Sequence, residues 1–388
     1  KEHVLSSQMW DFMLEVNEKH NTRLEGYDDL YSWTIAHPHL FWNDIWEYCD
    51  IIHSLPFSQV VEDFTSMPGA KWFPSARLNF AENLLRFRDD NPALVFRGED
   101  KIERTLSYKE LFSLVAKTSS ALKSAGVSSG DRVTGFIPNI PEAVIAMLAA
   151  ASIGAVWSSS SPDFGVKGVL DRFSQIKPKV LFAADGYFYN GKHFDSLEKL
   201  KGILNQLPSV ERVVIIPYTK ESPRISSIPN AVLYDDFISG EKANTIEFNQ
   251  LPFDHPLYIM YSSGTTGLPK SIVHSAGGTL VQHVKELCLH TNLTRKDTIF
   301  YFTTCGWMMW NWLVSSLAVG ATVVLYDGSP FYPNSGAMWK LTEELGITIF
   351  GTSAKFIAAS ENAGVIPHKH FDLSKLKVIL STGSPLVE

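Results

Sequence analysis

Ten consecutive residues near the middle of the chain carry the groups needed to hold an anion: Tyr261-Ser262-Ser263-Gly264-Thr265-Thr266-Gly267-Leu268-Pro269-Lys270. Glycine lets the backbone curl with its N–H groups turned inward toward a negative charge. The hydroxyls of Ser262, Ser263, Thr265 and Thr266 add donors, and Lys270 adds a point positive charge. That set suits a polyphosphate. It is not a Walker loop, which has four residues between its glycines and a lysine directly after the second. Here two residues separate Gly264 from Gly267, and Leu268-Pro269 precede the lysine. A plain surface turn has a similar composition. A linker, however, would not sit between two apolar strands with one lysine at its end.

The loop must be positioned by what flanks it. Leu257-Tyr258-Ile259-Met260 precedes it and Ser271-Ile272-Val273-His274 follows it, both of strand type. From Leu78 onward, short apolar runs alternate with stretches of helical period. The strands expected are Ala93–Phe96, Glu103–Leu106, Arg132–Pro138, Ala155–Trp157, Val180–Ala184, Val213–Ile216, Ala231–Tyr234, Ile299–Phe302, Ala321–Tyr326, Ile347–Phe350 and Leu376–Leu380. Strands alternating with helices of ten or more residues predict βαβ units and a mostly parallel sheet. Ser107-Tyr108-Lys109-Glu110 has the form of a capping box, so a helix is expected after it. Residues 1 to about 75 are rich in aromatics at helical spacing. They read as a helical collar packed on the main body, not as a binding box. The fold expected is α/β, with two lobes of mostly parallel sheet flanked by helices behind this helical segment. Its divisions are 1–75, a first lobe over 76–255, and a second lobe over 256–388 that opens on the anion loop.

Composition narrows the partners. The 388 residues are 45% hydrophobic and 19% charged, with net charge −7, ordinary for a globular protein. No basic stripe points to nucleic acid. The longest uncharged apolar stretch, Ala143 to Trp157, is shorter than the ~20 residues a membrane helix needs. No membrane partner is therefore expected, and the stretch reads as a buried helix running through Gly154 into a strand. Cys49, Cys288 and Cys305 are few, odd in number and widely spaced. They fit a reducing, cytosolic compartment better than a disulfide framework. His368 and His370 form a lone H-x-H with no further ligands nearby, so no metal site is expected from protein side chains. His274 reads as a structural histidine.

The loop resembles the phosphate loop of the adenylate-forming enzymes, which include acyl-CoA synthetases, luciferases and peptide-synthetase adenylation domains. Longer segments resemble the acetoacetyl-CoA synthetase branch. They include Ala149–Ser159, Ser161–Val166, Val169–Ile176, Ile272–Leu280, Gly306–Trp312, Leu325–Pro330 and Ile379–Leu386. The resemblance runs from about residue 25 to the end. It implies a ligase that joins acetoacetate to the α-phosphate of ATP, releases pyrophosphate, and then displaces AMP with coenzyme A. Magnesium would bridge phosphate oxygens. Thr265, Thr266, Gly267 and Lys270 would hold the leaving pyrophosphate, with Lys270, Thr265 and Thr266 stabilising its charge. Gly383, Ser384 and Pro385 match the loop that borders adenine. Gly306, Trp307, Met308 and Met309 match the segment that lines the acyl pocket. Lys192 falls where relatives place a basic residue near the CoA phosphates, although a solvated lysine is the ordinary reading. The family's later elements, including a mobile domain with a catalytic lysine, are not found before Glu388. The expectation is thus an N-terminal portion that does not complete thioester formation alone and partners with a missing C-terminal domain. Two other readings stay open: a non-catalytic regulatory protein that kept the fold, and a synthetase for another short acid such as acetate.

Overall fold

The computed structural model describes residues 2–262 and 267–384. Two large sheets organise it. The first has seven strands in the spatial order Ala231–Leu233, Arg212–Ile216, Val180–Ala184, Arg132–Phe136, Val156–Ser160, Pro256–Ser262 and Lys270–Ser275. All neighbours are parallel except the last pair. The second has six strands in the order Val378–Thr382, Ile349–Ser353, Thr298–Tyr301, Thr322–Asp327, Pro92–Gly98 and Ile102–Ser107. Again only the last pair is antiparallel.

Parallel strands joined by crossover helices are covered on both faces, so their sequences read as unbroken apolar runs. Val180–Ala184 is one such run and is buried at every residue. The helix Pro141–Ile153 is buried all the way round. Pro141 opens it, where a missing N–H costs nothing, and Gly154 closes it at φ 84°. It shares one core with Trp157 and Val133 of the first sheet and with Leu94, Val323 and Leu325 of the second. The apolar stretch is therefore a core helix, as expected. Among the described residues, no helix is long and apolar enough to cross a membrane.

The Ser107 capping box is present. Ser107 Oγ accepts from the Glu110 N–H at 3.2 Å, and the Glu110 carboxylate accepts from the Ser107 N–H at 2.8 Å. It starts the helix Tyr108–Ser124 directly after a strand.

The aromatic segment forms the helices Gln8–His20, Tyr27–Ala36 and Pro38–Tyr48. Its aromatics pack inward. Trp46 stacks on Phe73 at 4.9 Å, meets Phe57 edge-on at 5.2 Å, and reaches Phe253 at 6.4 Å. Phe73 and Phe253 are 4.8 Å apart. The collar thus closes on the segment just before the anion hairpin.

Strand pairing crosses the expected lobe boundary. A division at 255/256 does not separate the sheets. Pro92–Gly98 pairs with Thr322–Asp327 in the second sheet, and Pro256–Ser262 pairs with Val156–Ser160 in the first. Each sheet therefore borrows strands from both sides of the expected boundary. Apolar pattern marks a strand but does not say which strand lies beside it.

Candidate functional site

The two strands that flank the segment singled out by its composition pair as an antiparallel hairpin. Ser262 pairs with Lys270, Tyr261 with Ser271 and Met260 with Ile272. The hairpin leaves the C-terminal end of a strand in a mostly parallel sheet, where open α/β sheets bind ligands. Ser263, Gly264, Thr265 and Thr266 lie outside the described residues. Gly267 has φ +129°, a conformation that a side chain rarely adopts. Lys270 is exposed at the start of the edge strand.

The base of the loop is braced by residues that sequence reasoning did not place at the site. Gln175, on the helix Val166–Ile176, donates from Nε2 to the Pro269 carbonyl at 2.9 Å. Its Oε1 accepts from Ser271 Oγ at 3.0 Å. Arg172, one turn earlier, lies 4.7 Å from the Phe164 ring centroid and 5.7 Å from that of Tyr261. It brings a second positive charge toward the hairpin. Ser158 Oγ donates to the Ile259 carbonyl at 2.8 Å. No local motif announced these contacts, because each joins distant segments.

The Gly306–Met309 segment follows the strand Thr298–Tyr301 and leads into the helix Met308–Ser315. Ser159 Oγ donates to the Cys305 carbonyl at 2.6 Å, tying the C-terminal ends of the two sheets together. Gly306 borders a crevice of about 10 Å³ with Trp157, Met260 and Asn311. Trp307 and Met308 are 65% and 46% exposed, so this side of the segment faces outward. Met309 is half-buried. Gly383 and Ser384 are exposed just beyond the edge strand Val378–Thr382, and Gly383 has φ +98°. Pro385 lies outside the described residues.

A cavity of about 680 Å³ lies where the two sheets meet. Its walls include Asn139 and Asp163 from the first-sheet side, and Phe302, Asp327 and Lys355 from the second. A small hairpin, Gly186–Tyr189 with Lys192–Asp195, contributes Tyr187, Phe188, Tyr189 and Phe194. Lys192 pairs at the tip of this hairpin with Tyr189, a wall residue, and is itself exposed and not part of the wall. Gly306, Trp307, Met308 and Met309 do not line this cavity.

Asp327 is the strongly perturbed carboxyl on the wall. Burial pushes it up to about 7, helped by the negative charges of Glu99 and Asp163, while the Tyr218 hydroxyl and the Phe188 N–H pull it back. Tyr218 Oη donates to it at 2.8 Å and Phe188 N at 3.4 Å. Burial also pushes the Cys305 thiol up, which leaves it protonated and inert. His274 is held below the usual imidazole range by burial and packs 5.3 Å from the Tyr258 ring, in keeping with a structural role.

Residues 80–388 match the family model described as AMP-binding enzyme. The chain belongs to that family. Residues 27–84 further match a model described as acetyl-coenzyme A synthetase N-terminus. The acetoacetyl-CoA synthetase of Gallus gallus is 50% identical over 372 residues, covering 94% of this chain and 56% of that protein. That of Rhizobium meliloti is 47% identical over 387 residues, covering 100% of this chain and 59% of that protein. A malonamoyl-CoA synthetase of Penicillium aethiopicum is 42% identical, covering 98% of this chain and 56% of that protein. The solved acetoacetyl-CoA synthetase from Streptomyces lividans superposes with TM-score 0.93 at 42% identity, covering 99% of this chain and 59% of that one. The chain thus spans less than two thirds of the length of these AMP-binding relatives.

Proposed function

We propose that the protein carrying this chain activates a short acid bearing a carbonyl two carbons from its carboxylate, acetoacetate first, and transfers it to coenzyme A. The observation that carries this reading is the pairing of Ser262 with Lys270, which brackets the glycine- and hydroxyl-rich stretch of the sequence. It stands at the C-terminal edge of the first sheet, in a chain about half identical to acetoacetyl-CoA synthetases. In the first step a carboxylate oxygen attacks the α-phosphorus of ATP and pyrophosphate leaves with the accumulating charge. Donors aimed at that charge are the largest lever such a site has. Lys270, Thr265 and Thr266 supply them, with Ser262, Ser263, Gly264 and Gly267 shaping the cradle. Gly383, Ser384 and Pro385 border the adenine, and Gly306 to Met309 border the acid. Among the described residues no group of three His, Cys, Asp or Glu side chains could hold a metal. Magnesium bound with the triphosphate would offset the charge that builds on the departing pyrophosphate.

In the second step the CoA sulfur attacks the acyl carbonyl and AMP departs. The aromatic cavity beside the Lys192 hairpin has the size and apolar lining for a pantetheine arm, and in this reading Lys192 meets a phosphate of coenzyme A. All three cysteines are free, which suits a cytosolic setting.

The acid class rests on chemistry shared by the names of the relatives. Acetoacetate and malonamate both carry a carbonyl at the third carbon. Acid-dependent exchange of labelled pyrophosphate into ATP, run on the intact protein with acetoacetate, malonamate, butyrate and acetate, tests it. Acetoacetate should exceed butyrate by about tenfold at the least, because a pocket whose polar groups are left unpaired rejects the analogue that lacks the contact. Faster exchange with acetate than with acetoacetate would overturn the choice of acid.

A further inference from the structure

The hairpin that carries Lys192 springs from the first sheet, yet its tip is fastened to the second. The fastening is one carboxylate. Glu99 Oε1 accepts from the Asn190 N–H at 2.6 Å and from the Ser329 N–H at 2.9 Å, and Oε2 accepts from the Gly191 N–H at 2.8 Å. Three backbone amides from two separate loops thus converge on a single side chain. The surrounding backbone is bent to allow it. Glu99 itself has φ +47°, a region where glycine is the usual occupant. Gly328 has φ +134°, and a Cβ there would fall 2.1 Å from Glu99 Cγ. Gly191 has φ +73°, and a Cβ there would fall 2.5 Å from the Tyr332 ring. Strain accepted around a side chain that collects three donors points to a position that must be held.

We propose that Glu99 is a positioning residue for the thiol substrate: it clamps the hairpin tip so that Lys192 stands beside the inter-sheet cavity, where a phosphate of coenzyme A docks. This rests on the ligase reading given above. A carboxylate suits the task because it has no donor of its own to clash with three N–H groups. Asp327 supports the same hairpin next to its tip pair, through the Phe188 N–H. Lys192, one residue past the clamped Gly191, inherits its placement from that bond. Charge-assisted bonds to backbone amides are stronger than neutral ones, so this clamp exceeds an ordinary turn contact.

The test is kinetic and uses the intact protein. In Glu99→Gln, one oxygen becomes an NH₂ group facing an N–H donor. The apparent KM for coenzyme A should rise about tenfold or more, while acid-dependent pyrophosphate exchange, which needs no thiol, stays within about twofold. Glu99→Asp keeps the charge and should recover part of the loss. In a Lys192→Ala background, Glu99→Gln should add less than about twofold, because both changes remove one function. A melting-temperature comparison identifies any variant that fails to fold, and Glu99→Asp then carries the test. An unchanged KM for coenzyme A overturns the proposal. So do full additivity with Lys192→Ala, or a parallel fall in exchange and thermal stability, which would leave Glu99 a purely structural clamp. Absence of exchange with every acid in the parent protein would instead overturn the ligase reading from which the proposal starts.

Discussion

Replacing Lys270 with alanine is expected to lower acid-dependent pyrophosphate exchange by about 100-fold or more, the cost typical of deleting one donor from a developing-charge site. Thermal stability should hardly change. Lys270 is exposed on an edge strand, so truncation opens no cavity. The backbone pairing of Lys270 with Ser262 does not depend on the side chain. Exchange at the parental rate would mean that this lysine does not meet the phosphates at all. A matched loss of exchange and melting temperature would assign it a structural part instead.

The second large effect is on stability and depends on pH. Asp327 is pushed up to about 7 in the folded chain from an ordinary value near 3.8, chiefly by burial. Between those two values the folded state holds a proton that the unfolded state has released. The stability this carboxyl contributes is therefore complete below the ordinary value and falls as pH rises, until it is lost above about 7. Asp327→Asn removes that dependence. The variant's stability relative to the parent should improve by on the order of 2–4 kcal/mol between pH 5 and pH 8.5. Urea unfolding at the two pH values measures it. A relative stability that stays flat, or worsens toward high pH, would show that Asp327 ionises normally in the fold.

Much of the local architecture was legible because its causes are local. Ser107 and Glu110 announce a helix start at three-residue spacing, and both reciprocal bonds are made. The run from Pro141 to Ile153 has no polar stripe, which leaves only a helix buried on all sides. The stretch before Lys270 was legible as a candidate anion loop because its glycines, hydroxyls and lysine stand between two strand-type runs, and those runs do pair as a hairpin.

What was missed is non-local. Pro92–Gly98 looks the same in sequence whichever sheet it joins, and its parallel partner lies more than two hundred residues away. Gln175 reaches the Pro269 carbonyl across 94 positions, and Glu99 reaches Asn190 across 91. A glutamate in a surface-looking turn gives no hint that three amides from elsewhere will converge on it. The perturbation of Asp327 arises likewise, from its burial where the sheets meet and from the charges of Glu99 and Asp163 gathered beside it. Such contacts depend on how the two sheets dock, and side-chain periodicity does not encode that docking.

The most direct measurement is a crystal structure of the protein with ATP and magnesium. The account predicts the β- and γ-phosphate oxygens inside the turn between Ser262 and Lys270, with Lys270 Nζ within about 3 Å of one of them. A triphosphate seated elsewhere, with Lys270 Nζ turned to solvent, would contradict it.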